Sequence, residues 1–258
     1  MLIDAHVHLR SGKLSRIRPR ISAEEALRQL IEDMESAGVD TSLVVTWPED
    51  VPVVAREAAK APGRLYCLVW FDSRQPAQSL QELISLRHQF PSVVVGAKTV
   101  FPYLRQSVLQ KEFLPLYAVC QERRLPVQFH CGGNPVMVAL CHPALFALLA
   151  RDSTLSAFMR AAGGIEICLR SHPNVHLEVE GLQLHEVQLG EPPRVLSNLL
   201  EHWGSSRVMF GSDRLAREEK YFRRVTAIRA ILAPYGEDLS YRSASQAYGL
   251  AGLTGVTG

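Results

Sequence analysis

The residues best suited to chemistry stand near the amino terminus, where IDAHVHLR places His6 and His8 with a single valine between them. Alternate side chains of a β-strand leave the same face, so His-x-His aims two imidazoles at one point, the arrangement a transition metal requires. The same residues also fit a surface strand that carries two unrelated histidines. The metal reading therefore needs further ligands from the ends of other strands, and a fold that brings those ends together.

The chain alternates short apolar strands with longer helical stretches, the pattern of βα units on a parallel sheet. Strands are expected over 2–6, 41–46, 64–70, 92–98, 125–130, 155–162, 174–181 and 206–213. Helices are expected over 22–37, 51–60, 80–90, 111–124, 143–151, 163–172, 194–203 and 218–232, with a last helical piece at 243–250. Ser22 followed by Glu25 reads as a capping box, and Gly38 as the stop of the first helix. Val, Leu and Ile dominate the strands without strict alternation, as in strands covered on both faces. Eight such units in 258 residues predict an α/β fold, a single-domain TIM-like (β/α)₈ barrel over 1–258, with a tail near 251–258 that frays.

A net charge of +2, with both signs interspersed, gives no basic stripe for nucleic acid and no polybasic membrane patch. The expected partner is a small molecule, and nothing excludes a homo-oligomer. The five cysteines form no CxxC pair and are odd in number, which suits reduced thiols in a cytoplasm. No basic segment leads into an apolar stretch at the start, and the longest apolar run, 136–150, is broken by His142 and Pro143. A soluble, unprocessed, cytoplasmic protein is expected.

In a (β/α)₈ barrel the chemistry gathers at the carboxyl ends of the strands. His6 and His8 end the first expected strand, Lys98 the fourth, His130 the fifth, Glu180 the seventh and Asp213 the eighth. Three imidazoles and a carboxylate suit one divalent metal ion, Zn²⁺ first. Such a metal lowers the pKa of bound water to about 7 and polarises a carbonyl. An aspartate that touches both metal and water can shuttle the proton.

The segments IDAHVHL, VVGAKTVFP, LPVQFHCGG, HPNVHLEVEG and RVMFGSD, in this order, resemble the metal-dependent amidohydrolase superfamily, specifically its family 2 of hydrolases and decarboxylases. The resemblance implies a TIM-like barrel in which His6, His8, His130 and Asp213 bind one metal and Asp213 also activates water. It implies hydrolysis of a C–N or C–O bond in a small molecule, with non-oxidative decarboxylation as the alternative. One departure stands out: members carry another histidine at the end of strand six, and Ala161 stands at about that place. Losing such a group removes about 3 kcal/mol of transition-state stabilisation on the scale of one oxyanion donor, while the four ligands suffice for the metal. Glu180, Arg160, His142 or His185 could replace it; otherwise the chemistry differs, or the barrel has lost catalysis and binds a metabolite or partner.

The remaining candidates each carry two readings. Lys98 could be carbamylated between two metals, could hold a substrate anion, or could pair with Glu178 or Glu180, which share a strand face. Arg10, in HVHLR, matches an arginine that clamps a substrate carboxylate in dihydroorotase-type cyclic amidases, although GSDRL lacks the HAPH that follows there; an exposed loop arginine is the other reading. Asp4 could orient an imidazole or cap local backbone. Trp47, Trp70 and Phe101 could form an aromatic wall for a flat substrate or pack in the core. The basic loop at 12–20 could cover the mouth and attract an anion, or be solvated.

Overall fold

The computed structural model describes residues 1–10, 21–99, 109–129, 157–160, 175–180, 200, 204–214 and 221–250. The expected helices at 143–151 and 163–172, most of that at 194–203, and the tail at 251–258 lie outside these residues. The strands are β1 (Ile3–His8), β2 (Thr41–Thr46), β3 (Leu65–Trp70), β4 (Val94–Thr99), β5 (Val127–Phe129), β6 (Ala157–Arg160), β7 (Val175–Glu180) and β8 (Val208–Gly211). The helices are α1 (Ala23–Ala37), α2 (Val51–Lys60), α3 (Pro76–Gln89), α4 (Leu114–Glu122), α5 (Tyr221–Leu232) and α6 (Ser243–Tyr248). Among the described residues, no helix is long and apolar enough to cross a membrane.

Each strand pairs in parallel with the next, in the order β1 to β8. The segment after β8 returns to β1: Asp213 N donates to His6 O at 2.9 Å, and His8 N to Arg214 O at 2.7 Å. The sheet thereby curls into the TIM-like (β/α)₈ barrel that the alternation of elements predicts. Ser22 caps α1 as expected, its side chain accepting from Glu25 N at 3.0 Å.

Two apolar cores flank the sheet. Outward strand residues such as Val44, Cys67, Val127 and Phe210 pack with Leu30, Val54, Leu83 and Leu116 of the helices. Inward residues, among them Ile3, Leu43, Leu68 and Met209, pack with Ala244, Ala247 and Tyr248 of α6, which closes the barrel at the amino-terminal ends of the strands. Each fully buried Leu or Ile contributes about 1.5–3 kcal/mol.

Two β-bulges decide which side chains face the barrel interior. Between Asp4 and Val7, β1 spends one residue more than β2: Asp4 pairs with Ser42 and Val7 with Val44. Ile3 and Ala5 face inward, Val7 packs outward, and His8 lies opposite the inward Val45. Strict alternation from Ile3 would have sent both histidines out toward the helices; the bulge reverses the parity and turns them in. On β4 the register jumps from Val94 opposite Cys67 to Gly96 opposite Leu68, and this second bulge puts Lys98 opposite Trp70 on the inward face. Gly96 is required there, because a Cβ would lie 2.7 Å from Pro126 O.

Candidate metal centre

His6 is fully buried, and its Nδ1 lies 2.7 Å from Glu178 Oε1 on β7. The second Glu178 oxygen accepts from Gln128 Nε2, which also lies 3.3 Å from Ala5 O and from Tyr248 Oη. A carboxylate on Nδ1 keeps the ring proton there and makes Nε2 the electron-pair donor. That Nε2 faces His8 Nε2 at 3.2 Å. Asp213 Oδ1 completes the triangle, 3.2 Å from His8 Nε2 and 3.9 Å from His6 Nε2. Burial lowers the pKa of His8, opposed by the hydrogen bond and charge of Asp213 and helped by the charge of Lys98, and so favours the neutral imidazole that a metal needs. Two imidazole nitrogens and a carboxylate oxygen, all within 4.8 Å of one another, have the donor chemistry of a borderline divalent cation.

The glycine of GSD makes room for this arrangement. A Cβ on Gly211 would stand well inside contact distance of Glu178 Oε1 and 2.8 Å from the Cβ of His6, so any side chain there displaces the pair. Asp213 itself has φ +53°, a left-handed backbone that aspartate tolerates better than most residues. Its neighbours are anchored on both sides. Ser212 N donates to Asp4 Oδ1 at 2.8 Å. Arg214, fully buried, donates from Nε to Asp33 Oδ2 of α1 at 2.7 Å and stands over the Tyr221 ring at 5.7 Å.

Of the two roles open to Asp4, the structure shows the backbone cap. It accepts from His6 N and Ser212 N, and from Tyr221 Oη at 3.0 Å, and bonds to no imidazole ring among the described residues; burial raises its pKa to about 6. Lys98 is buried on the inward face of β4 and acts on His8 through its charge. Trp47 and Trp70 lie with ring centroids 4.9 Å apart, and Trp70 stands 6.5 Å from the His8 ring. Arg10 follows β1 at the same end of the barrel, but its guanidinium is committed to Asp50 through two bonds of 2.8 and 2.6 Å. Glu180 ends β7, two residues beyond Glu178. His130, Phe101, Ala161, His142, His185 and the loop at 11–20 lie outside the described residues.

Sequence reasoning placed one of Glu178 and Glu180 in the barrel mouth or paired with Lys98, and did not find the bond of Glu178 to His6, nor Gln128, Gly211 or the Arg214–Asp33 pair.

Many solved structures are similar over most of both chains, three of them as follows. A probable 2-pyrone-4,6-dicarboxylic acid hydrolase from Acinetobacter baumannii, with citric acid bound, has a TM-score of 0.68 and 12% identity over 96% of this chain and 99% of that one. A 5-carboxyvanillate decarboxylase from Sphingomonas paucimobilis has a TM-score of 0.67 and 15% identity over 96% and 98%. The 5-carboxyvanillate decarboxylase of Novosphingobium aromaticivorans, complexed with manganese and 4-hydroxy-3-methoxy-5-nitrobenzoic acid, has a TM-score of 0.64 and 15% identity over 90% and 85%. At these identities the likeness shows the fold. No curated protein sequence matches the chain. The family model for amidohydrolase family 2 matches residues 3–235, and the chain thus belongs to the amidohydrolases of family 2, a family of hydrolases and decarboxylases.

Proposed function

We propose that the protein is a cytoplasmic metal-dependent hydrolase, one domain over residues 1–258, that cleaves a C–N or C–O bond in a small acidic molecule. The observation that carries this reading is the convergence of His6 Nε2, His8 Nε2 and Asp213 Oδ1 on one point. These three residues would hold a single divalent cation, Zn²⁺ by their nitrogen-rich character, with His130 as the fourth ligand. His130 follows Gln128 by two residues, and Gln128 points into the barrel toward Glu178. The manganese in the Novosphingobium decarboxylase supports a divalent cation on this fold.

A cation held there supplies Lewis acidity, making water acidic enough to attack at neutral pH and polarising a substrate carbonyl. The protein's own residues supply the rest. Asp213 takes up the proton of the attacking water on its carboxylate and returns it to the leaving group. Glu178 holds His6 in one tautomer and one orientation. Trp47 and Trp70 form the wall against which a flat substrate lies. Lys98, Arg10 and Glu180 contact the substrate, with Lys98 and Arg10 attracting its acidic group; Arg10 must turn from Asp50 to do so. The bound citrate and nitrobenzoate of the similar structures support an acidic ligand.

A second reading, non-oxidative decarboxylation of an aromatic acid, is favoured by the buried Lys98 cation beside the tryptophan pair, a setting that fits a planar carboxylate. Assays against lactones, amides and aromatic carboxylic acids, with hydrolysis and carbon dioxide release measured separately, distinguish the two. The proposal expects turnover that falls by roughly a hundredfold or more on chelation and in Asp213→Asn. Turnover indifferent to both would overturn it.

A further inference from the structure

At the end of the barrel opposite His6 and His8, a cavity of about 830 Å³ opens between the segments that lead into β3, β4 and β5 and the end of α6. Four arginines line it (Arg56, Arg87, Arg123 and Arg124), and among the described residues no aspartate or glutamate does. Arg56 reaches out to Glu24. The other three have no carboxylate partner among the described residues. Arg87 is half-buried; its Nη1 donates to Pro91 O and, at 2.5 Å, to Val94 O, which leaves its other N–H groups for a ligand. Burial also lowers the pKa of Arg87, as expected of a cation held without a counter-charge.

The backbone adds an independent observation. Arg124 has φ +51°, the left-handed conformation, where it ends α4 as Leu125 N donates to Cys120 O at 2.8 Å. Glycine is the residue this position favours, and an arginine there bears a steric cost. The cost has a return if the guanidinium is needed in the cavity. Tyr66, Phe90 and Tyr248 give the same cavity apolar and aromatic walls.

We propose that this cavity is a second binding site, which takes a multiply charged organic anion with a flat apolar body. Guanidinium forks bind carboxylate or phosphate groups through paired hydrogen bonds, and the aromatic walls cover the body. The site needs neither the metal nor Asp213, so it stands or falls apart from the hydrolase reading.

Titration calorimetry on chelator-treated protein tests it, with phenyl phosphate and isophthalate as the phosphate and carboxylate probes and benzamide as the neutral control. Either anion should bind, weaken as salt rises, and lose at least about tenfold in affinity in Arg123→Gln/Arg124→Gln, while Asp213→Asn leaves binding unchanged. Whichever anion binds more tightly identifies the charged group. Arg124→Gly provides a variant that must fold, because it relieves the left-handed strain: it should melt at a higher temperature than the native chain without ligand, yet bind the probe more weakly. Absence of binding by both anions at millimolar concentration, or equal affinity in the arginine variants, overturns the proposal.

Discussion

Replacing Gly211 by alanine adds one methyl group where the structure has no space. The new Cβ strikes Glu178 Oε1 and stands 2.8 Å from the His6 Cβ. Neither neighbour can yield outward, since His6 is 1% and Glu178 2% exposed. Overpacking a filled core costs about 1–3 kcal/mol. If the carboxylate instead withdraws from His6, a buried charge loses its partner, and the cost rises to about 3–5 kcal/mol. The lower unfolded-state entropy of alanine offsets at most about 1 kcal/mol of this. With the carboxylate displaced, a net loss of about 2–4 kcal/mol is expected, read as the shift in urea unfolding of chelator-treated protein so that no metal contributes. Glu178→Ala removes the atom the methyl strikes, so in that background the glycine substitution should cost at least about 1 kcal/mol less. A cost below about 0.5 kcal/mol, or an equal cost in both backgrounds, would refute the claim that this glycine seats the His6–Glu178 pair.

Two further outcomes follow from buried groups. His176, on the same face of β7 as Glu178, is buried, and desolvation with the nearby Arg207 lowers its pKa to about 4. The fold keeps it neutral while the unfolded chain takes up a proton near pH 6.5. Stability is thus full above pH 6.5 and is lost as pH falls toward 4, by about 2–3 kcal/mol at pH 4.5. Urea midpoints at pH 7 and pH 4.5 should show that loss in the native chain and not in His176→Gln; parallel losses in both would contradict it. Cys67 and Cys120 are buried free thiols, the first pushed well above the usual thiol range by burial and the second up to about 12. Alkylation followed by peptide mapping should label neither until the protein is unfolded, and labelling of either in the native state would contradict their burial.

Much of the fold could be read from the chain because apolar strands and capped helices recur with the βα period. Boundaries shifted where proline set them: the helix expected at 80–90 begins at Pro76, and that expected at 111–124 opens with a 3₁₀ turn before Leu114, with Pro115 in its first turn. Proline lacks the N–H that a first turn leaves unpaired and has its φ already set. The candidate site was legible as residue types, since His6, His8 and Asp213 end strands that the barrel must gather. Its parity was not. Counting alternate residues from Ile3 turns both histidines outward, and only a bulge, fixed by Asp4 and by the return of β8, turns them in. Long-range pairings such as His6 with Glu178, 172 residues apart, leave no local trace either.

The convergence of His6, His8 and Asp213 on a divalent cation is the claim on which the proposed chemistry depends. Elemental analysis of protein purified without added metal, then loaded with zinc and dialysed, tests it when His8→Ala and Asp213→Asn are carried through the same steps. The account predicts about one equivalent of metal in the native protein and far less in both variants. A native protein that retains none after loading, or variants that retain as much as the native chain, would contradict it.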